Sequence, residues 1–121
     1  AQWHRGTPKI IRGQWYYHSK IKNQSSYITY GKYSDSSNYL AWSKYYHAFY
    51  KLPGHGLIHY SYQYLGHHNY RLHGAEGQFP SQKYTFIIKA TKYNLWTDHG
   101  KFHFNRHKPH MISELKAGLH G

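Results

Sequence analysis

The sequence predicts an all-β protein, built as a small antiparallel β-barrel or as a closely related sandwich. At least six short segments alternate apolar with polar positions, and clusters of Gly, Asn, Asp and Pro separate them. Aromatic residues make up 20% of the chain, with fifteen tyrosines, so the core is expected to consist largely of Tyr, Trp, Phe and Ile. A chain of 121 residues is long enough to bury such a core within a single domain.

That single domain is expected to have three parts. Residues 1–9 are polar, contain a Gly and a Pro, and predict an N-terminal arm. Residues 10–106 contain the predicted strands and form the expected barrel. Residues 107–121 predict a C-terminal tail, within which 112–116 is compatible with one helical turn.

The first half of the predicted barrel begins with two strands. Residues 12–18 form the first, because Trp15 and Tyr17 fall on one face at a spacing of two. Residues 27–33 form the second, because β-branched and aromatic side chains dominate them. Residues 35–38, with the sequence Asp-Ser-Ser-Asn, predict a turn or a helix cap.

Residues 39–52 allow two interpretations. A short helix over 39–51 would end at Pro53 and Gly54, and its aromatic residues would form one stripe: Tyr39, Trp42, Tyr46, Phe49 and Tyr50. Two strands with a break near Ser43 and Lys44 would accommodate the same tyrosines. The aromatic residues fall on both faces under either period, so the pattern leaves the choice open.

The second half is more clearly β. Residues 84–90 give the best strand of the chain, because Tyr84, Phe86, Ile88 and Ala90 alternate with other side chains. The remaining predicted strands are 58–64, 70–73, 95–96 and 102–106. Residues 98–100 predict the hairpin turn before the last strand.

The charge is strongly unbalanced. Sixteen Lys and Arg face four acids, for a formal charge of +12, which predicts an anionic partner such as a cell-wall polymer or another anionic surface. The thirteen histidines add to this charge as the pH falls through the ordinary imidazole range near ~6.5. We therefore expect attachment to an anionic surface to strengthen between neutral pH and about pH 5.

The same composition disfavours an enzyme. The absence of cysteine excludes thiol catalysis, disulfides and thiolate metal sites. Glu76 and Asp98 are the only loop-placed carboxylate pair, and neither a nucleophile-elbow pattern nor a phosphate-binding glycine loop occurs. We expect no catalytic residues and no cofactor.

A secreted location is also expected. Lack of cysteine is common among secreted proteins of Gram-positive bacteria, and no apolar run approaches the ~18–20 residues of a membrane span. The chain begins with Ala1 rather than Met, which a cleaved signal peptide or a trimmed start would explain.

Gly13, Trp15 and Arg106 form the most recognisable motif. A Gly-x-Trp on the first strand with an Arg at the end of the last strand resembles the signature of the calycin (lipocalin-like) superfamily. That resemblance implies a lipocalin-like barrel in which the guanidinium lies across the indole, a structural role. Residues 3–15 also resemble the mature N-terminus, with its Arg-Gly-x-Trp motif, of small secreted proteins of lactic acid bacteria.

Candidate binding residues follow from the strands and the histidines. The candidates for a ligand are the rings Tyr60, Tyr62, Tyr64, Tyr84 and Phe86. No recognised metal motif occurs, and the weak candidates for a metal site are His67, His68, His73, His103 and His107. Phe102 and Phe104 loosely resemble the base-stacking strand of cold-shock and other OB-type barrels, although they suit a core-facing strand equally well.

Three functions follow in order of preference. The first is a secreted, cell-surface-associated, monomeric binding protein that attaches to anionic polymer in a pH-dependent way. The second is a carrier of a small apolar ligand in a lipocalin-like barrel. The third and least favoured is a single-stranded nucleic-acid binder.

Overall fold

The computed structural model describes residues 2–21 and 24–118. Within these ranges the chain is all-β with one short helix, as predicted. The strands are β1 (His4–Arg5), β2 (Gly13–Tyr17), β3 (Ser26–Tyr30), β4 (Asp35–Ser43), β5 (Ala48–Lys51), β6 (Leu57–Gly66), β7 (Asn69–Glu76), β8 (Lys83–Ala90), β9 (Asn94–Thr97), β10 (Phe102–Asn105) and β11 (Met111–Ile112). A 3-10 helix covers Lys9–Ile11, and α1 covers Glu114–Gly118.

All of these strands belong to one sheet, in the order β1-β6-β7-β8-β9-β10-β2-β3-β4-β5-β11. Neighbouring strands are antiparallel, except that β11 runs parallel to β5. The order has two ends, so the sheet is open. The expectation of a closed, lipocalin-like barrel over residues 10–106 was therefore wrong.

The gap between β4 and β6 shows why the sheet stays open. Leu57 N donates to the Asp35 side chain at 2.6 Å rather than to a backbone carbonyl. Ser37 and His55 form a single isolated bridge there, and Tyr60 N donates to Tyr33 O at 3.0 Å. These scattered bonds bring the two regions of the coiled sheet together without a continuous ladder.

The ambiguous residues 39–52 form strands. β4 continues to Ser43, a turn follows, and β5 returns with Trp42 opposite Phe49 and Ala41 opposite Tyr50. His47, at the end of the turn, adopts a φ of +50°. Pairing resolves the ambiguity because it gives the aromatic residues on both faces cross-strand neighbours, including the edge-to-face contact of Trp42 with Phe49 at 5.0 Å.

Segments near both ends of the described residues take part in the sheet. The predicted arm supplies β1, which pairs with β6, and Gly6, Thr7 and Pro8 are buried. The predicted tail supplies β11, which pairs with β5, and then α1. Both short strands form because the outer strands β6 and β5 offer unpaired backbone groups.

The core lies inside the coiled sheet, and Tyr, Trp, Phe and Ile supply most of its buried members, as predicted. Its buried members are Ile11, Trp15, Tyr30, Tyr60, Leu72, Ile88, Ala90, Leu95 and Phe104. The Tyr60 hydroxyl donates to Asp35 Oδ2 at 2.8 Å. No buried side-chain polar atom in the described part of the chain lacks a hydrogen-bond partner, so the tyrosine-rich core meets the requirement that buried polar groups be satisfied.

Candidate functional site

The positive charge lies at the surface. Each lysine in the described ranges is exposed, and Arg5 is exposed as well. Two of the few acids are occupied by neutral donors. Asp35 accepts from Leu57 N and the Tyr60 hydroxyl, and Glu76 accepts from the backbone N–H groups of Gln78 and Phe79. These two carboxylates are therefore engaged within the fold, and the exposed cations remain accessible to an anionic partner.

Asp35 lies beside two buried tyrosines. Burial raises the pKa of Asp35 above its ordinary value, although its bonds from Leu57 N and Tyr60 favour the charged form. Burial, followed by the charge of Asp35, also raises the pKa of Tyr30 well above its usual range. Asp35 therefore links β4 to β6 across the gap through its bonds from Leu57 N and Tyr60, rather than balancing a surface cation.

Arg106 and Trp15 lie in contact, as the sequence predicted. The guanidinium carbon is 3.4 Å from the centre of the Trp15 ring. Arg106 also donates to three main-chain carbonyls, those of Gln14, Ile10 and Lys92, at 3.0, 3.0 and 3.3 Å. Gly13 is required here, because its φ is +102° and a Cβ would lie 3.3 Å from Arg106 Nη1. The motif joins β2 to the segment after β10 and has a structural role.

The five predicted ligand-binding rings lie along β6 and β8 and differ in exposure. Tyr60 is buried in the core, and Tyr62 and Phe86 pack against that core. Tyr64 and Tyr84 are each 47% exposed. Tyr64 contacts Tyr70 at a ring-centre distance of 5.0 Å. The five rings do not line the grooves described below, and their ligand-binding role stays a prediction.

The histidines are spread over the surface. In residues 2–21 and 24–118, no three His or acid side chains come close enough to hold a metal ion. His67 and His68 lie in the β6–β7 turn with positive φ. His73 bonds with Thr85 at 2.8 Å, and His103 bonds with Asn94 at 2.7 Å. The carbonyl oxygen of His107 lies 2.8 Å from His18 Nε2.

The outer face of the sheet carries a groove beside the turn between β9 and β10. This outer groove has a volume of about 480 Å³ and is lined by Asn69, Ile87, Ile88, Lys89, Trp96, His99 and Gly100. Ile88 itself is buried in the core, whereas its neighbours Ile87 and Lys89 are exposed, as the alternation along β8 requires. The turn between β9 and β10 forms one wall.

Four strands contribute one row of side chains across this outer face. The register places Asn69 opposite Lys89, Lys89 opposite Trp96, and Trp96 opposite His103. The imidazole of His103 stacks on the indole at 4.9 Å with a 9° angle between planes. Lys89 Nζ lies 5.6 Å from the ring centre of Trp96. A lysine and a stacked imidazole thus flank the aromatic ring.

A second groove opens on the inner face. This inner groove has a volume of about 340 Å³, and its ring and aliphatic lining consists of Tyr17, Ile28, Tyr39, Phe102 and Phe104, with polar groups from the 24–26, 37–38 and 53–55 segments. Tyr17 contacts Phe102 and Phe104 at ring-centre distances of 5.2 and 5.6 Å. These two phenylalanines therefore face inward and do not present stacking surfaces on the outside of the sheet.

Sequence reasoning missed both grooves. It singled out Tyr84 and Phe86 on β8, whereas Ile87 and Lys89 on the opposite face of that strand line the outer groove. The alternation that identified the strand already placed these two residues on the outside. What it lacked was the strand order that brings Trp96 and His103 beside them.

No helix in the described ranges is long and apolar enough to cross a membrane. Comparison with known proteins gives no further assignment: no protein-family model matches the chain, and no curated protein or solved structure matches it.

Proposed function

We propose that this protein is a secreted, cell-surface-associated binding protein that attaches to anionic cell-wall polymer and does so more strongly in acid. The observation that supports this proposal is the uncompensated surface charge. The lysines of the described ranges are exposed, while Asp35 and Glu76 are bonded to neutral donors. A polyanion can therefore contact many cations without first displacing a bound carboxylate.

The exposure of the histidines supports the pH dependence. Of those in the described ranges, His73 is half-buried and the others are exposed. Solvated imidazoles gain a proton as the pH falls through about 6.5. Full protonation of the thirteen histidines would more than double the formal charge of +12. Retention on a polyanion then rises with acid and falls with salt.

Binding to purified cell walls tests this function. Walls that retain their phosphate-rich anionic polymer are compared with walls from which it has been extracted, at about pH 7 and pH 5 and at about 0.05 and 0.5 M salt. We expect retention only on the intact walls, several-fold greater at the lower pH and lost in high salt. Retention that is flat across both variables, or equal on extracted walls, overturns the proposal.

A matched pair of variants tests the role of the histidines. His67→Asn combined with His68→Asn removes two exposed imidazoles, and Asn tolerates the left-handed backbone of this turn. We expect a smaller gain in retention at low pH and unchanged retention at neutral pH. Gln24→Asn combined with Gln82→Asn removes no titratable group and serves as the control.

The inner groove supports a second candidate, capture of a small apolar ligand. Its volume of about 340 Å³ lies within the usual range of small-ligand sites, and Tyr17, Ile28, Phe102 and Phe104 line it. Ile28→Trp should fill the groove and reduce binding of an apolar fluorescent probe without changing wall retention. Ile21→Trp, at an exposed position, is the control. Equal probe binding by both variants removes this candidate.

Single-stranded nucleic acid is the third candidate, to be tested as a competitor. Phe102 and Phe104 pack against Tyr17 on the inner face, so base stacking on them has little support. Release of wall-bound protein by an oligonucleotide but not by an equal charge of polyphosphate would favour nucleic acid over the wall polymer.

A further inference from the structure

We propose that the outer groove is a subsite for one saccharide or polyol unit that carries a negative charge, either a phosphate or a carboxylate. The identity of this ligand rests on the proposed function, because such units are the building blocks of anionic wall polymers. The arrangement of Trp96, Lys89, His99 and Asn69 carries the inference.

Trp96 supplies an apolar plane in a fixed orientation. His103 stacks on it from β10 at 4.9 Å, and His103 Nε2 is itself bonded with Asn94 Oδ1 at 2.7 Å. Lys89 and the groove lie on the opposite, β8 side of the indole. A ring or polyol chain can therefore pack against the indole on the groove side, as planar aromatic residues permit.

The charged groups at the groove select an anion. Lys89 lies on the groove wall opposite Trp96 in register, and His99 lies on the wall formed by the β9–β10 turn. Arg71 lies opposite Ile87 in the register, but its Nη1 donates to Gln63 on β6 at 2.6 Å, and it does not line the groove. Asp98 is the acid nearest in sequence, next to His99 in the exposed turn. The lining itself contains one lysine, one histidine and no acid.

The remaining lining matches the rest of such a ligand. Ile87 is 43% exposed and offers an apolar floor between the charged side chains. Asn69 Nδ2 donates to the carbonyls of Gly66 and His67 at 3.3 Å, so the amide is held in place, and its Oδ1 is an acceptor for ligand hydroxyl groups. The volume of about 480 Å³ falls within the usual range of small-ligand sites. Apolar floor, polar edge and cation together distinguish this groove from a uniformly charged surface.

Binding of small probes tests the subsite. Glucose 6-phosphate, glucuronic acid, glucose and inorganic phosphate are titrated into the full chain while the indole N–H resonances are followed by NMR. We expect both anionic sugars to shift the Trp96 resonance saturably and at least fivefold more tightly than glucose or phosphate alone. The two anionic sugars then distinguish a phosphate-bearing from a carboxylate-bearing unit. Equal affinity for inorganic phosphate, or no shift at Trp96, overturns the subsite.

Variants separate the subsite from general charge attraction. Trp96→Leu retains apolar volume but loses the plane, and Lys89→Gln removes the facing cation. We expect each to weaken binding of the anionic sugars about tenfold. Tyr93→Ala is the matched control, because Tyr93 is exposed and has Lys92 5.4 Å from its ring, but it lies outside the groove. An equal loss in Tyr93→Ala contradicts the assignment.

The two proposals fail in different ways. Retention on intact walls with full pH and salt dependence, combined with no saccharide binding, would overturn the subsite and leave the proposed function standing. Saturable binding of anionic sugars at Trp96 without wall retention would overturn the proposed function and leave the subsite standing.

Discussion

Replacing Arg106 by alanine is the most direct test of how this sheet is held together. The guanidinium stacks 3.4 Å from the Trp15 ring centre and donates to the carbonyls of Gln14, Ile10 and Lys92. These contacts join the segment after β10 to β2, to the 3-10 helix and to the segment before β9. Burial lowers the pKa of Arg106, yet the group stays charged at all ordinary pH values.

The expected loss follows from these contacts. Among the three hydrogen bonds of Arg106, the bond to Ile10 is partly buried, so it is worth about 1.5 kcal/mol. The two exposed bonds, which water and salt weaken, add about 0.5 kcal/mol each. Stacking on the indole adds about 1 kcal/mol. Arg106→Ala should therefore lower the free energy of unfolding by about 3.5 kcal/mol, or the Tm by about 14 °C for a chain of this size.

Urea unfolding followed by tryptophan fluorescence measures this loss. We expect the midpoint to fall by about 1–2 M, with an unchanged slope. Arg106→Lys keeps the charge but lacks the planar fork, so it should lose about half as much. Arg5→Ala removes an exposed arginine that lies 5.3 Å from the Tyr33 ring, and it serves as the control. If Arg106→Ala costs no more than Arg5→Ala, the contacts of Arg106 do not stabilise the sheet.

Three further predictions concern the same framework. Gly13→Ala should lower the free energy of unfolding, measured in urea, by about 1–2 kcal/mol, because a residue with a side chain must then adopt a φ of +102° beside Arg106. An unchanged free energy of unfolding would contradict the need for glycine. Burial raises the pKa of Asp35, so the folded state binds the carboxyl proton more tightly than the unfolded chain does. The stability that this protonation contributes is therefore lost as pH rises above about 4. Asp35→Asn should accordingly gain stability relative to wild type as pH rises through that window, and a constant difference between the two in thermal scans would refute this. Leu72→Ala should cost about 2–5 kcal/mol, since Leu72 is fully buried, and a loss below about 1 kcal/mol would show that the core collapses around it.

Several elements were predictable because local sequence encodes them. The alternation of 84–90 identified β8 and its inward face, and Phe102 and Phe104 were recognised as compatible with a core-facing strand. The contact between Trp15 and Arg106 was expected from the resemblance to calycins, and the two side chains do stack in this structure. The resemblance to calycins and to small secreted proteins of lactic acid bacteria stays a prediction.

Residues 39–52 show where local sequence was insufficient. Rings at spacings of three and four satisfied a helical period, and the same rings satisfied a pair of strands. The decision came from partners distant along the chain: β3 pairs with β4 on one side, and β11 pairs with β5 on the other. Secondary-structure propensity is a weak prior, and tertiary pairing overrides it.

The sequence by itself determined the all-β class, the aromatic contribution to the core and the excess of positive charge. Each of these depends on composition or on a period of two. Only the tertiary structure decided that the sheet stays open at Asp35 and that Lys89, Trp96 and His103 form one row. The period of two assigns a side chain to a face, but strand order and register decide which side chains become neighbours on that face.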